Sequence, residues 1–334
     1  MTGMDAVPKS ILREAHRRKP VYALKIPLLY ALMGLAGFTL FQTQDHRFAI
    51  PIGVACSVLI AYVIRGLGAI AHDVVHGNLT RNKTAAYWLS LCCWSPTGMS
   101  VTIYRNYHLH HHKITNEYTD VDNFVVTDYT RNPVLAKLLL LVVYTGAYPL
   151  YWAIQMTRYT KRLSRWELIR MNLELLMIGA VIVAGFVLMP LQVFVFFFGL
   201  PFLIGAFLAS STSMVEHFLM EDTTDNAYSS RTYGTRCHIT NFLWNNVTYH
   251  NEHHKFPGIP FYNLASFHRK AYPYYDDKVK SEVHTSIYPL MLKLYWRILT
   301  LDVAALDAKY AALDLETERA RDIKVPGIPA GTSA

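Results

Sequence analysis

Long apolar runs alternate with polar segments along this chain, and the alternation predicts its architecture. Residues 21–41, 48–70, 172–189 and 191–212 are each almost free of charge. Each approaches the roughly 20 residues a helix needs to cross a bilayer core. The first two runs are separated by a short, weakly charged link and the last two by Pro190, so they read as two hairpins of transmembrane helices. Arg65 lies near the end of the second run and is expected to snorkel to the interface. Residues 85–104 contain Pro96 and Gly98 and read as re-entrant or interfacial. Residues 134–156 are long enough to span, but Gly146 and Pro149 permit a bend, and this stretch is also read as interfacial or re-entrant. Residues 1–308 are taken as one membrane domain and 309–334 as a polar C-terminal helix and tail.

The polar segments between the hairpins hold most of the candidate chemistry. Nine of the fifteen histidines fall in three short windows: His72 and His76; His108, His110, His111 and His112; and His250, His253 and His254. A helix turns about 100° per residue, so His72 and His76 share a face. His108, His111 and His112 share another at i, i+3, i+4, with His110 on the far side. His250, His253 and His254 repeat that pattern. An extended second window would instead align His108, His110 and His112.

A lone histidine on an apolar face is usually a packed side chain. Packing gives no reason to group a polar ring in this way three times, so the windows point to metal. Eight facing imidazoles exceed what one ion takes. Two ions fit the count, and iron and copper both suit imidazole. Cys56, Cys92, Cys93 and Cys237 form no CxxC pair and read as thiols of a reducing compartment. Ligating rings need an acceptor on their second nitrogen. Asp73, Asp120, Asp122, Glu216 and Glu252 are near enough in sequence to serve, the alternative for each being a solvated or capping role. His16, His46, His238, His268 and His284 are isolated and read as surface or packing residues.

Charge sets the expected orientation. Lys9, Arg13, Arg17, Arg18 and Lys19 precede the first run, and Arg158, Lys161, Arg162, Arg165 and Arg170 precede the third. The positive-inside rule places both segments, and with them every histidine window, on the cytoplasmic side. No secretory signal is evident, and the choice between a bacterial inner membrane and an endoplasmic reticulum stays open. A net charge of +8 would suggest nucleic acid in a soluble protein. Here it reads as contact with anionic headgroups, or as docking of an acidic electron carrier.

The windows together resemble the histidine boxes of the integral-membrane fatty acid desaturase and hydroxylase superfamily. His72-Asp73 and His76-Gly77 fit the first box. His108 to His112, then Thr115-Asn116, Asp120 and Asp122, fit the second. Tyr249-His250-Asn-Glu252-His253-His254, followed by Phe256-Pro257, Pro260 and Asn263-Leu264, fits the third. Glu216-His217-Phe218, at the end of the fourth run, fits a further histidine of the family. The likeness covers about residues 50–275. It implies an all-α membrane protein of four spans with a cytoplasmic helical cap. It also implies two Fe ions held by His72, His76, His108, His111, His112, His217, His250, His253 and His254, with O₂ as co-substrate. Some relatives carry an Asn one turn before the fourth-span histidine and bind iron there through water; this chain has Ser213.

The expected activity is fatty acyl desaturation, with hydroxylation or ketolation of a fatty acid, sphingolipid, carotenoid or alkane as the alternative. A divalent-metal transporter would hold its ligands at mid-membrane. A membrane zinc protease would need a HExxH-like window. Neither pattern is present. No fused cytochrome b5-like, ferredoxin-like or flavin domain is visible, so electrons are expected from an external ferredoxin, rubredoxin or cytochrome b5-type donor with its reductase.

Overall fold

The computed structural model describes residues 3–117, 120–221, 225–306 and 308. The C-terminal helix expected at 309–334 lies outside them. The described chain is predominantly helical. Its helices are α1 (Lys9–Ala15), α2 (Lys25–Thr43), α3 (Ala49–Val75), α4 (Lys83–Trp94), α5 (Val101–His111), α6 (Pro133–Val142) and α7 (Tyr148–Tyr159). They continue as α8 (Arg165–Leu188), α9 (Leu191–Phe194), α10 (Leu200–His217), α11 (His238–Leu243), α12 (His250–Lys255), α13 (Phe261–Ala271), α14 (Asp277–Ser281) and α15 (Ile287–Leu299). Two-residue strands β1 (Thr232–Tyr233) and β2 (Val283–His284) pair in parallel.

Five helical stretches are long and apolar enough to cross a membrane: Pro20–Thr43, Ala49–Val75, Pro133–Arg162, Arg165–Leu188 and Leu191–His217. Four of them match the four apolar runs to within a residue at the ends of 48–70 and 172–189. The fifth contains the stretch expected to bend, and it does bend. Between α6 and α7 the backbone forms a π-turn at Val143–Ala147, and Gly146 leaves the helical region. The spanning helices turn large apolar residues outward, among them Phe38, Val58, Leu176, Val187 and Phe202, as a lipid environment requires.

The apolar core concentrates at one end of these helices. One cluster gathers Met4, Tyr148, Trp244, Tyr249, Phe261, Phe267 and Leu294 around the third histidine window. A second holds Leu67, Ala71 and Val74 of α3 against Trp94 of α4 and Tyr104 of α5. Residues 85–104 turn at Ser95–Thr97, where Gly98 takes φ 81. Ser100 then caps α5 by accepting from the Ile103 amide.

Two close approaches set the histidine helices against one another. A Cβ on Gly66 of α3 would stand 2.1 Å from the Leu243 carbonyl oxygen, so only glycine lets the end of α11 and the loop after it rest on α3. That loop continues through Asn245 and Asn246, both at positive φ. The Asn245 side chain donates to the Gly66 carbonyl at 2.8 Å and Asn246 to that of Phe261 at 3.1 Å. The second approach is at the start of α5. The buried carboxylate of Glu174, from α8, accepts from the Thr102 amide at 3.0 Å, the Thr102 hydroxyl at 2.6 Å, the Tyr87 hydroxyl at 2.9 Å and the Ser100 hydroxyl. A carboxylate is favoured at a helix N-terminus, where free amides and the helix dipole meet it.

Candidate metal centre

His72 lies in the last turn of α3, and His76 is its C-cap. Residues 108–111 end α5 as regular helix and His112 caps it, so the helical alignment of the second window holds rather than the extended one. His217 ends α10, and α12 carries His250, His253 and His254. Nine imidazoles from four elements thus meet in one place.

They meet as two groups. Ligand atoms of His72, His76, His108, His112 and His253 lie within 4.8 Å of one another. Within that group His76 and His108 approach Nε2 to Nε2 at 3.0 Å, His112 and His108 at 3.0 Å, and His253 and His112 at 3.1 Å. His111, His217 and His254 form a second group on the same criterion, and His217 Nε2 is 3.1 Å from His250 Nε2. A first-row metal holds imidazole nitrogen at about 2 Å, so two adjacent ligands on one ion stand about 3 Å apart. The rings have that spacing. Buried nitrogens without a partner point the same way: His254 Nε2 has none, while its Nδ1 faces the Thr115 hydroxyl at 3.3 Å. The donor set, imidazole with no thiolate nearby, fits iron.

His110 stays outside both groups. Its ring packs near Tyr159, and its Nε2 faces Arg162 at 3.4 Å.

The carboxylates divide as follows. Asp120 meets His111 Nδ1 with both oxygens, at 3.0 and 2.9 Å, and also accepts from the amides of Asn116 and Asp122. Asp122 stands 3.6 Å from the same nitrogen and accepts from the hydroxyls of Tyr107 at 2.5 Å and Tyr148 at 2.7 Å. Ser213 pairs with the Tyr148 hydroxyl. Glu216 is 3.8 Å from His250 Nδ1 and accepts from the Tyr233 hydroxyl. His217 Nδ1 is 3.0 Å from the Ser229 carbonyl.

Asp73 and Glu252 depart from the expectation. Asp73 binds the Asn78 amide at 2.7 Å, and Asn78 reaches the Pro257 carbonyl at 2.9 Å, which ties the end of α3 to the loop after α12. Glu252 points away from the rings on its own helix. It accepts from Thr232, from Tyr275 at 3.1 Å and from His268 Nδ1. Of the two readings for His268, surface or packing, the structure shows packing: it is buried, and its Nδ1 faces the Glu252 carboxylate behind α12. A single histidine without a periodic companion gives no sequence signal of this. Arg65 is corrected too. Instead of snorkelling it turns inward, 3.5 Å from Glu216 and over the Trp244 ring, because a buried carboxylate on α10 is a better partner than the interface. Of the same two readings, His16 and His238 take the surface one.

Burial dominates the electrostatics. It holds His108, His112, His250, His253 and His254 well below the ordinary imidazole value, and His76 at about 4, with neighbouring rings adding to the effect. Neutral rings are what a metal binds. His111 is the exception: burial pulls it down, but Asp120 and Asp122 outweigh it and raise it to about 9. Glu252 goes the other way from a buried acid. Burial would raise it, yet His268 and Thr232 hold it below the usual carboxylate value.

Comparison with known proteins agrees with this geometry. The chain is 28% identical over 296 residues to the human sphingolipid delta(4)-desaturase/C4-monooxygenase DES2, covering 78% of this chain and 82% of that protein. It is 25% identical over 307 residues to a putative sphingolipid delta(4)-desaturase/C4-monooxygenase of Caenorhabditis elegans, covering 85% and 76%. It is 25% identical over 268 residues to the sphingolipid delta(4)-desaturase DES1 of Gallus gallus, covering 78% and 77%. The family model for fatty acid desaturases matches residues 48–286. That match takes in more than two thirds of the chain and every histidine of both groups, and on that ground this integral membrane protein belongs to the fatty acid desaturase family.

Proposed function

We propose that this chain is an oxygen-dependent oxidoreductase that introduces a C=C bond into the hydrocarbon chain of a lipid. The sphingolipid-type relatives make a sphingoid lipid the first substrate class to test. The observation that carries the proposal is the meeting of nine imidazoles, from three distant windows and His217, in two groups at metal-ligand spacing. His72, His76, His108, His112 and His253 would hold one Fe ion, and His111, His217, His250 and His254 the other. Two irons bound there supply the strong oxidant, made from O₂, that an unactivated C–H bond needs. The protein's own part is orientation and exclusion of water. Asp120, Ser229 and Thr115 fix rings from behind, and the buried shell of Tyr104, Phe261 and Trp94 keeps the centre dry.

The same arrangement supports a topology of four spans with the centre on the cytoplasmic side. Five crossings would put His217 and His72 on opposite faces of the membrane, yet they belong to one centre. Tyr148, midway along the fifth apolar stretch, hydrogen bonds Asp122 beside His111. The middle of that stretch therefore sits at the level of the histidines, which fits a bent interfacial segment. Hydroxylation is the second reading, favoured by the C4-monooxygenase in two relatives' names. Mass spectrometry of host sphingolipids with and without expression of the chain tests both. Loss of two hydrogens from the long-chain base or acyl chain supports desaturation, and gain of one oxygen supports hydroxylation. Unchanged lipids in a host that supplies reductase and carrier, with iron bound, overturn the proposal.

A further inference from the structure

The two histidine groups differ in what stands behind their rings. In the four-histidine group, His111 meets both oxygens of Asp120 at 2.9 and 3.0 Å and lies 3.6 Å from Asp122, and His250 lies 3.8 Å from Glu216. In the five-histidine group, His72, His112 and His253 have a buried Nδ1 with no hydrogen-bond partner, as has His250 in the other group, whose Glu216 neighbour at 3.8 Å acts through charge alone. Among the described residues, every Asp or Glu oxygen found within 4 Å of a histidine ring nitrogen serves His111, His250, His268 or His284, and none of these belongs to the five-histidine group. One carboxylate, Asp120, thus hydrogen bonds a ring of the four-histidine position, and two more stand within 4 Å of its ring nitrogens, offset in part by Arg65 beside Glu216, whereas no carboxylate stands that close to the five-histidine rings.

A carboxylate hydrogen bonded to the far nitrogen makes an imidazole a stronger donor, and nearby negative charge favours the more highly charged ion. Resting on the di-iron reading, we infer that Asp120, Asp122 and Glu216 make the two metal positions electronically unequal. The four-histidine position is the one that gives up an electron first and stabilises the trivalent ion. The five-histidine position retains the divalent ion longer. Asp120 is the main positioning residue, and Asp122 is fixed against it by the hydroxyls of Tyr107 and Tyr148.

The full chain, loaded anaerobically with Mössbauer-active Fe(II), is titrated with ferricyanide, each equivalent removing one electron from one iron. Iron content is measured first. A count other than about two per chain defeats the di-iron reading and this inference with it. With two irons bound, the expected result is two ferrous components that oxidise in separate steps. Asp120→Asn should move the first step toward the second and leave the second in place. His111→Ala should abolish the first component, and His76→Ala the second. Tyr148→Phe, which loosens Asp122 without touching a ligand, should give a smaller shift of the same sign and keeps the test open if Asp120→Asn does not fold. Simultaneous oxidation of both components overturns the inference. So does an Asp120→Asn or Tyr148→Phe shift confined to the component that His76→Ala removes.

Discussion

At the residue scale the informative contrast is between neighbours in one window. His111 and His112 face the two groups, while His110 lies against Tyr159 and Arg162. His111→Ala or His112→Ala should abolish product and lower bound iron, whereas His110→Ala should keep both iron and a substantial part of the activity. An inactive, iron-poor His110→Ala would refute the alignment. The contrast was legible in the sequence because helical periodicity alone separates position 110 from 108, 111 and 112. His268 was not legible, since its meaning depends on Glu252, sixteen positions earlier on another helix. Removing His268 leaves the buried Glu252 carboxylate without one of its hydrogen-bond partners, at a cost of about 3 kcal/mol. His268→Ala should therefore lower the melting temperature of the detergent-solubilised protein by several degrees and release iron through misplacement of α12. A melting temperature equal to wild type would show that Glu252 finds enough support from Thr232 and Tyr275.

Among the elements, the apolar runs announced the spans, and Gly146 announced the bend in the fifth stretch. What the sequence did not announce is contact between elements. Gly66 looks like any glycine in an apolar helix, but it is where the end of α11, at Leu243, meets α3. Gly66→Ala should cost about 2 kcal/mol or more through overpacking against backbone and should lower iron content, whereas Gly34→Ala, with open space at its Cβ, should be neutral. Equal behaviour of the two variants in thermal melts would contradict the close approach. α15 was also missed. Its Ile287, Leu290, Leu294 and Ile298 are buried while Tyr288, Leu292, Trp296 and Leu299 are exposed, so it is apolar on both sides. In water that pattern would be a fault; against a membrane surface the outer face has a partner.

The molecule as a whole makes two testable demands. Single cysteines at Lys113, Arg131, Lys161 and Asp277, in a background lacking the native cysteines, should all label from the cytoplasmic side, and one at Asp45 from the opposite side. Opposite labelling of Lys113 and Asp277 would mean that Pro133–Arg162 crosses and would break the single-centre reading. The second demand is electronic. Each turnover of O₂ with removal of two hydrogens needs two electrons from outside, so purified protein with substrate and air should stay idle until a reductase and a small carrier are supplied. Repeated turnover without any reductant would refute this.

The tie between Glu174 and the start of α5 has a consequence in time. A chain made from its N-terminus completes α5 long before α8 exists, so the helix of the second window emerges without the carboxylate that caps it. α12 comes later still. While the ribosome is at work, the early windows have imidazoles but lack the partners from α10 and α12 that complete either group. Both groups are complete only once α12 has joined α3, α5 and α10. Iron supplied after the final hairpin has inserted would meet the full set of rings, and iron supplied earlier would meet only part of it.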